Sequence, residues 1–227
     1  PDRGGPSAIV EAGAVTAVRT ASASAMASDL LARPDARTLA IIGTGEQAHH
    51  HALAMMEVRR IDSIRIWGRS AERAEALAAR LVEQIGVDAV VARTVEDAVS
   101  DADIICTVTA ANEPVLAAAS VKPGAHINVV GSSFDGPREI CDDLVAASRF
   151  FADSSESVRS QGAEFLHALK SGAVSEDHLL GEIGEVALGR IEGRISPDDI
   201  TIYKSLGHIV QDISAGALVV EKAARSD

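Results

Sequence analysis

The stretch LAIIGTGEQAHHH, residues 39 to 51, restricts the fold more than any other part of the chain. An unbroken apolar run ends at Gly43, and polar, helix-favouring residues begin by Glu46. Between them, Gly43-Thr44-Gly45-Glu46-Gln47-Ala48 fits the pattern G-x-G-x-x-A at a strand-to-helix junction. The first glycine permits the tight turn, the second lets backbone approach a pyrophosphate, and the small Ala48 lets helix and strand pack closely. Free N–H groups at the start of that helix suit phosphate oxygens. Gly43, Thr44, Gly45, Glu46 and Gln47 are therefore expected to contact a dinucleotide.

The chain around this turn alternates short apolar runs with amphipathic stretches. Strands are predicted at 38–43, 63–68, 88–92, 102–109, 125–131 and 149–153, with a further β-prone piece from Thr201 to Lys204. Between the second and third, Ser70 is placed to cap a helix whose apolar stripe is Ala74, Leu77, Leu81 and Ile85. Strand–helix units in series predict a parallel sheet covered on both faces, a doubly wound α/β domain of Rossmann type. Ahead of it, the Ala- and Ser-rich residues 16–32 read as a helix with Val18, Ala21, Ala25 and Leu30 on one face, ended by Pro34. After Gly207 a final helix is expected, with Ile209, Ile213, Ala217 and Val220 as its apolar stripe, and the apolar terminal helices are expected to need a partner to cover them.

Composition narrows the function. Asp and Glu outnumber Lys and Arg by 33 to 21, a formal net charge of −12, which disfavours a polyphosphate partner and excludes nucleic acid. Two cysteines with no CxxC pair suggest neither a disulfide framework nor a zinc site, and imply a reducing compartment. The opening PDRGGPSAIV has no leader pattern and no run approaches membrane-spanning length, so a cytoplasmic protein with no membrane partner is expected.

The second strand ends IWGRS. A carboxylate at this point would bind the ribose hydroxyls of NAD(H); here Gly68 offers none, while Arg69 and Ser70 present a fork of donors and a hydroxyl to a 2′-phosphate. NADP(H) is favoured and NAD(H) remains open. The plain alternative is a solvated arginine beside a helix cap. His49, His50 and His51 do not make a metal site, because consecutive helical residues point about 100° apart. Cys106 reads as inert core. Thr107, Val108 and Thr109 end a strand where open parallel sheets bind ligands.

Several separated segments, TAVRTASASAMAS, IIGTGEQA, DADIICTVT, VKPGAHINVVGSS, REI and ITIYKSLG, together resemble the motifs of the ornithine cyclodeaminase/μ-crystallin family. The resemblance runs from about Glu11 to the C-terminus. It implies a homodimer pairing a Rossmann domain, here 36–190, with a substrate and dimerisation domain built from both chain ends, here 1–35 and 191–227. It also implies that Arg19 holds a substrate carboxylate, that Asn128, Val129 and Val130 line the cofactor, and that Leu206 and Gly207 form a turn closing over nicotinamide and substrate. For the strand ends and this turn a structural role stands beside contact. Where ornithine cyclodeaminase has an aspartate after VGG, beside the substrate amine, this chain has Ser133, which the resemblance places against the substrate but which cannot act as a carboxylate base near neutrality. Asp135, two residues on, is the alternative carboxylate for that place, and beside Gly136 and Pro137 it also reads as a turn former.

About 35 residues precede the Rossmann unit, fewer than a substrate domain of ordinary size needs, so a piece of a longer protein or a shortened member is expected. The leading expectation is an NADP(H)-dependent oxidoreductase moving hydride at the C–N bond of a small amino or imino acid, as a ketimine reductase or amino-acid dehydrogenase. An ornithine or lysine cyclodeaminase releasing ammonia, and a non-catalytic dinucleotide-binding protein, are the alternatives.

Overall fold

In the computed structural model, which describes residues 8–226, eight strands pair in parallel in the order β3-β2-β1-β4-β5-β8-β6-β7. Residues 1–7, with most of the opening stretch, and residue 227 lie outside the described residues. The strands are β1 (Thr38–Ile42), β2 (Ser63–Trp67), β3 (Asp88–Val91), β4 (Ile104–Thr107), β5 (His126–Val129), β6 (Ser148–Ala152), β7 (Leu179–Glu182) and β8 (Ile200–Lys204). The helices are α1 (Ala12–Leu31), α2 (Glu46–Val58), α3 (Ala71–Ile85), α4 (Val95–Val99), α5 (Asp142–Ala146), α6 (Ser155–Gln161), α7 (Ala163–Ser171), α8 (Ile183–Ala187) and α9 (Ile209–Ser226).

Central strands of a parallel sheet are covered twice, and their sequences are accordingly apolar without alternation. Within β1, Leu39 and Ile41 belong to the core shared with α1, α2 and α3, whereas Ala40 and Ile42 belong to the core on the opposite face, shared with α4, α5, α6 and α7. This is the doubly wound α/β arrangement read from the sequence. Strand order reverses between β1 and β4, which opens a crevice at the C-terminal ends of the strands.

Several elements differ from expectation. β7 is unanticipated: LLGE is short, and its Gly181 sits at φ +147 beside the register shift between Phe150 and Phe151. The sequence grouped residues 191–227 with the chain ends, but Ile200–Lys204 lies inside the sheet between β5 and β6. Helix α1 buries Ala17, Ala21, Ser24 and Ser28 rather than Val18, which is 52% exposed. Small residues let α1 approach the sheet and α2, and leave the larger Val18 outside. On α9, the stripe residues Ile209, Ile213 and Val220 are exposed, as apolar positions that no other described part of the chain covers.

Buried polar contacts hold α1 in place. His51 bonds the Ser24 hydroxyl at 3.0 Å, and Asn128 Nδ2 donates to Ser28 Oγ at 2.9 Å. His126 contacts Thr201 Oγ1 at 2.9 Å. Burial pushes the His51 imidazole down to about 4 and that of His126 to about 3, so both are neutral near pH 7.

Candidate active site

A cleft of about 720 Å³ lies over the point where strand order reverses. Its floor is the turn Gly43–Gln47. Gly43 has φ +130, and a Cβ there would stand 2.6 Å from the carbonyl oxygen of Val108, so only glycine lets β1 turn this close to β4. Gly45 differs: its backbone is extended, and a Cβ added to it would meet no protein atom within 4 Å. The space beside Gly45 belongs to the cleft. Gly45 caps α2 with no side-chain hydrogen bond, which leaves N–H groups of the first turn for a ligand. This donor set fits a pyrophosphate.

At one end, β2 delivers Trp67, Gly68, Arg69 and Ser70 to the cleft, and α3 adds Arg73. A Cβ on Gly68 would lie 2.4 Å from Thr44 Cγ2, so glycine here lets the phosphate turn sit against β2. Ser70 caps α3 by accepting from Arg73 N at 3.3 Å. Arg69 and Arg73 are exposed, and among the described residues neither has an ion-pair partner. Arg73 was missed in the sequence; its place one turn beyond the Ser70 cap was the available signal.

At the other end the cleft is walled by residues following β4 and β5, among them Val108, Thr109, Val130 and Gly131. Behind this wall lies the fully buried Glu139. Its Oε1 accepts from Thr109 N (2.7 Å) and Thr109 Oγ1 (2.8 Å), and its Oε2 from Thr107 Oγ1 (2.8 Å) and Gly131 N (2.6 Å). Burial pushes this carboxyl above the usual range, opposed by the threonine hydrogen bonds and the charge of Lys204. Lys204 Nζ meets Glu164 Oε2 at 2.9 Å and donates to Ser132 O at 2.7 Å and Ser132 Oγ at 2.8 Å. Ser132 Oγ in turn donates to Glu164 Oε1 at 2.6 Å. Glu139, Lys204 and Glu164 were given no role in the sequence, although a lysine ending an apolar strand and an acid in AEFLHAL are both out of pattern.

Further along the same edge, Arg19 and Gly207 come together. Gly207 has φ +88, and a Cβ there would lie 2.9 Å from Arg19 Nη1. Asp153 Oδ2 fixes this turn by accepting from Leu206 N at 2.8 Å and Gly207 N at 2.6 Å. Arg19 is steadied by Gln211 at 2.9 Å and by Asp212, whose Oδ1 lies 2.9 Å from Nε. Other expected site residues sit elsewhere. Ser133 is exposed in the loop after β5, and the buried member of VGSS is Ser132. Thr107 reaches the cleft only through Glu139, Val129 is core, and the Asn128 amide is spent on Ser28 because β5 turns that side chain toward α1. Cys106 is buried with its thiol pushed up to about 12. His49 Nε2 contacts Gln84 at 2.8 Å. No helix among the described residues is long and apolar enough to cross a membrane.

The whole chain, residues 1–227, matches the model of the ornithine cyclodeaminase/mu-crystallin family. Ketimine reductase mu-crystallin of Mus musculus is 37% identical over 221 residues, covering 97% of this chain and 66% of its own length. Among solved structures, Thermococcus litoralis Delta(1)-pyrroline-2-carboxylate reductase in complex with NADH and L-proline superposes with a TM-score of 0.97 at 31% identity, covering 100% of this chain and 70% of that one. An archaeal alanine dehydrogenase dimer with bound NAD gives a TM-score of 0.93 at 30% identity, covering 100% and 69%. The chain spans about two thirds of the length of these relatives.

Proposed function

Because this chain belongs to the ornithine cyclodeaminase/mu-crystallin family, we propose that it is a nicotinamide-dependent reductase of small cyclic α-imino acids, working in a homodimer and preferring NADPH. The observation that carries the reading is the placement of the glycine turn and the Arg19–Gly207 pair on one C-terminal edge of the sheet. Three strand spacings separate β1 from β8 through β4 and β5, roughly 14 Å. That reach suits one extended dinucleotide with a small substrate beyond its far end.

In this reading, the Gly43–Gln47 turn holds the pyrophosphate, Arg69, Ser70 and Arg73 hold the 2′-phosphate, and the residues after β4 and β5 enclose the nicotinamide half. A reduced nicotinamide, when bound, supplies hydride to the carbon of a C=N bond. Arg19 offers a planar pair of donors to the substrate carboxylate, oriented by Asp212 and Gln211, and so holds the reacting carbon in one place. Asp153 holds the Leu206–Gly207 turn against Arg19, and Gly207 leaves room for the guanidinium. The exposed Ser133 brings no carboxylate to this edge, which favours reduction over cyclodeamination. The two bound nicotinamide cofactors in the neighbours carry no 2′-phosphate, so the NADPH preference rests on Arg69, Ser70 and Arg73 of this chain.

The dimer rests on Val18, Met26, Ile209 and Ile213, apolar side chains exposed on α1 and α9. Light scattering should give twice the chain mass; the monomer mass would overturn this part. Activity is tested by mixing the chain with NADPH and a five- or six-membered cyclic imino acid. Reduced-nicotinamide absorbance should fall, and Arg19→Lys should raise KM far more than it changes folding. Ammonia release from ornithine with no net NADPH loss would overturn the reductase in favour of a cyclodeaminase. Dinucleotide binding with neither reaction would leave a binding protein.

A further inference from the structure

Glu139 lines no part of the cleft, yet it is bonded to the residues that do. Its two oxygens join the end of β4, through Thr107 and Thr109, to the end of β5, through Gly131. The approach is close: a Cβ on Gly131 would stand 2.1 Å from Thr109 O and 2.4 Å from Glu139 Oε1. Thr109 Oγ1, while donating to Glu139, accepts from Ala111 N at 3.1 Å, which extends the same restraint along the cleft wall. With the pyrophosphate at the glycine turn and the adenosine end at β2, this wall is what remains for the nicotinamide.

We infer that Glu139 is a positioning residue for the nicotinamide half of the dinucleotide, holding the ends of β4 and β5 in the one arrangement that receives it. The inference rests on the dinucleotide reading of the cleft. Its chemistry is specific to a carboxylate. Each oxygen accepts one backbone N–H and one hydroxyl, so glutamine, in either amide orientation, presents its NH2 to Thr109 N or to Gly131 N. A hydroxyl can rotate to accept, whereas a backbone N–H cannot. One wall of the cleft must then move. Glu139 and the Lys204–Glu164 pair are all buried, so the clash is not relieved by turning the amide out to bulk solvent.

The test compares two probes in calorimetric titrations: NADPH, and 2′-phosphoadenosine 5′-diphosphoribose, the same molecule without the nicotinamide ring. Glu139→Gln should weaken NADPH by about tenfold or more while the ring-free probe stays within about twofold. Thr107→Val removes one donor from Glu139 without touching the cleft, and should shift NADPH alone by about threefold, which keeps the test available if the glutamine variant folds poorly. Equal loss of both probes, or loss of neither, would overturn the positioning role, because a purely structural residue does not distinguish the ring. A wild-type chain that binds neither probe would instead overturn the dinucleotide reading, and the inference with it.

Discussion

The two ends of the cleft handle charge in opposite ways. At the β2 end, Arg69 and Arg73 stand in solvent without ion-pair partners among the described residues. Behind the β4–β5–β8 end, Lys204, Glu164 and Glu139 are sealed from water and satisfied by one another and by Ser132, Thr107, Thr109 and Gly131. An exposed unpaired arginine costs the fold little and is free to meet a ligand's charge. A buried ion costs several kcal/mol of desolvation, which is recovered only by holding its partners in place. The first arrangement should therefore tune affinity, and the second should tie the shape of the cleft to stability.

The strongest challenge to this contrast is Lys204→Met. Leaving Glu164 buried and unpaired should destabilise the fold by about 3–5 kcal/mol in urea unfolding, and adding Glu164→Leu should recover much of the loss. A loss below about 1 kcal/mol would erase the distinction between the two ends.

Acid should also act on the sealed interior before it acts on the rim. The folded-state values of His51 and His126 lie below the ordinary 6.5, at about 4 and about 3, so each takes up its proton on unfolding. Their contribution is complete above pH 6.5 and is lost as pH falls toward those folded values, by up to about 2 kcal/mol each at pH 5. Glu139 and Asp153, raised by burial, act with the opposite sign and favour the folded state as pH falls. The His51 share is isolated by comparing the pH dependence of unfolding in the parent and in His51→Gln, whose slope between pH 6.5 and 4 should be shallower. An unchanged slope would mean that His51 is protonated in the fold.

The smallest effects belong to the exposed end. Arg69→Ala should weaken NADPH by about tenfold, about 1.4 kcal/mol, and NADH by less than about twofold. Its unfolding free energy should stay within about 0.5 kcal/mol of the parent, and Arg73→Ala should behave alike with a smaller shift. Equal loss of NADPH and NADH would show these arginines acting on the pyrophosphate or the fold rather than on a 2′-phosphate.

The exposed end, Arg73 excepted, was readable from sequence and the sealed end was not, for a physical reason. Gly43, Gly45, Gly68 and Ser70 act through their own backbone or their nearest turn, so local order in the chain reports their role. Strand periodicity did the same for seven of the eight strands, and missed Leu179–Glu182, whose glycine interrupts the pattern. The segment REI was recognisable as a motif, but what Glu139 does depends on residues 8 to 32 positions away, brought to it by the ends of β4 and β5. The stripe assigned to α1 held at Ala21 and Ala25 and missed at Val18: Val18 is the more apolar choice, but Ser24 and Ser28 are inside, where His51 and Asn128 bond them. The sequence by itself determined the turn, the alternating elements and the absence of a carboxylate after β2. Only the tertiary structure decided that β8 enters the sheet beside β5, and that insertion is what sets Lys204 against Ser132 and Glu164 and brings Gly207 to Arg19. Non-local pairing of buried polar groups leaves no period in a sequence, because each partner is chosen by proximity in space rather than by spacing along the chain.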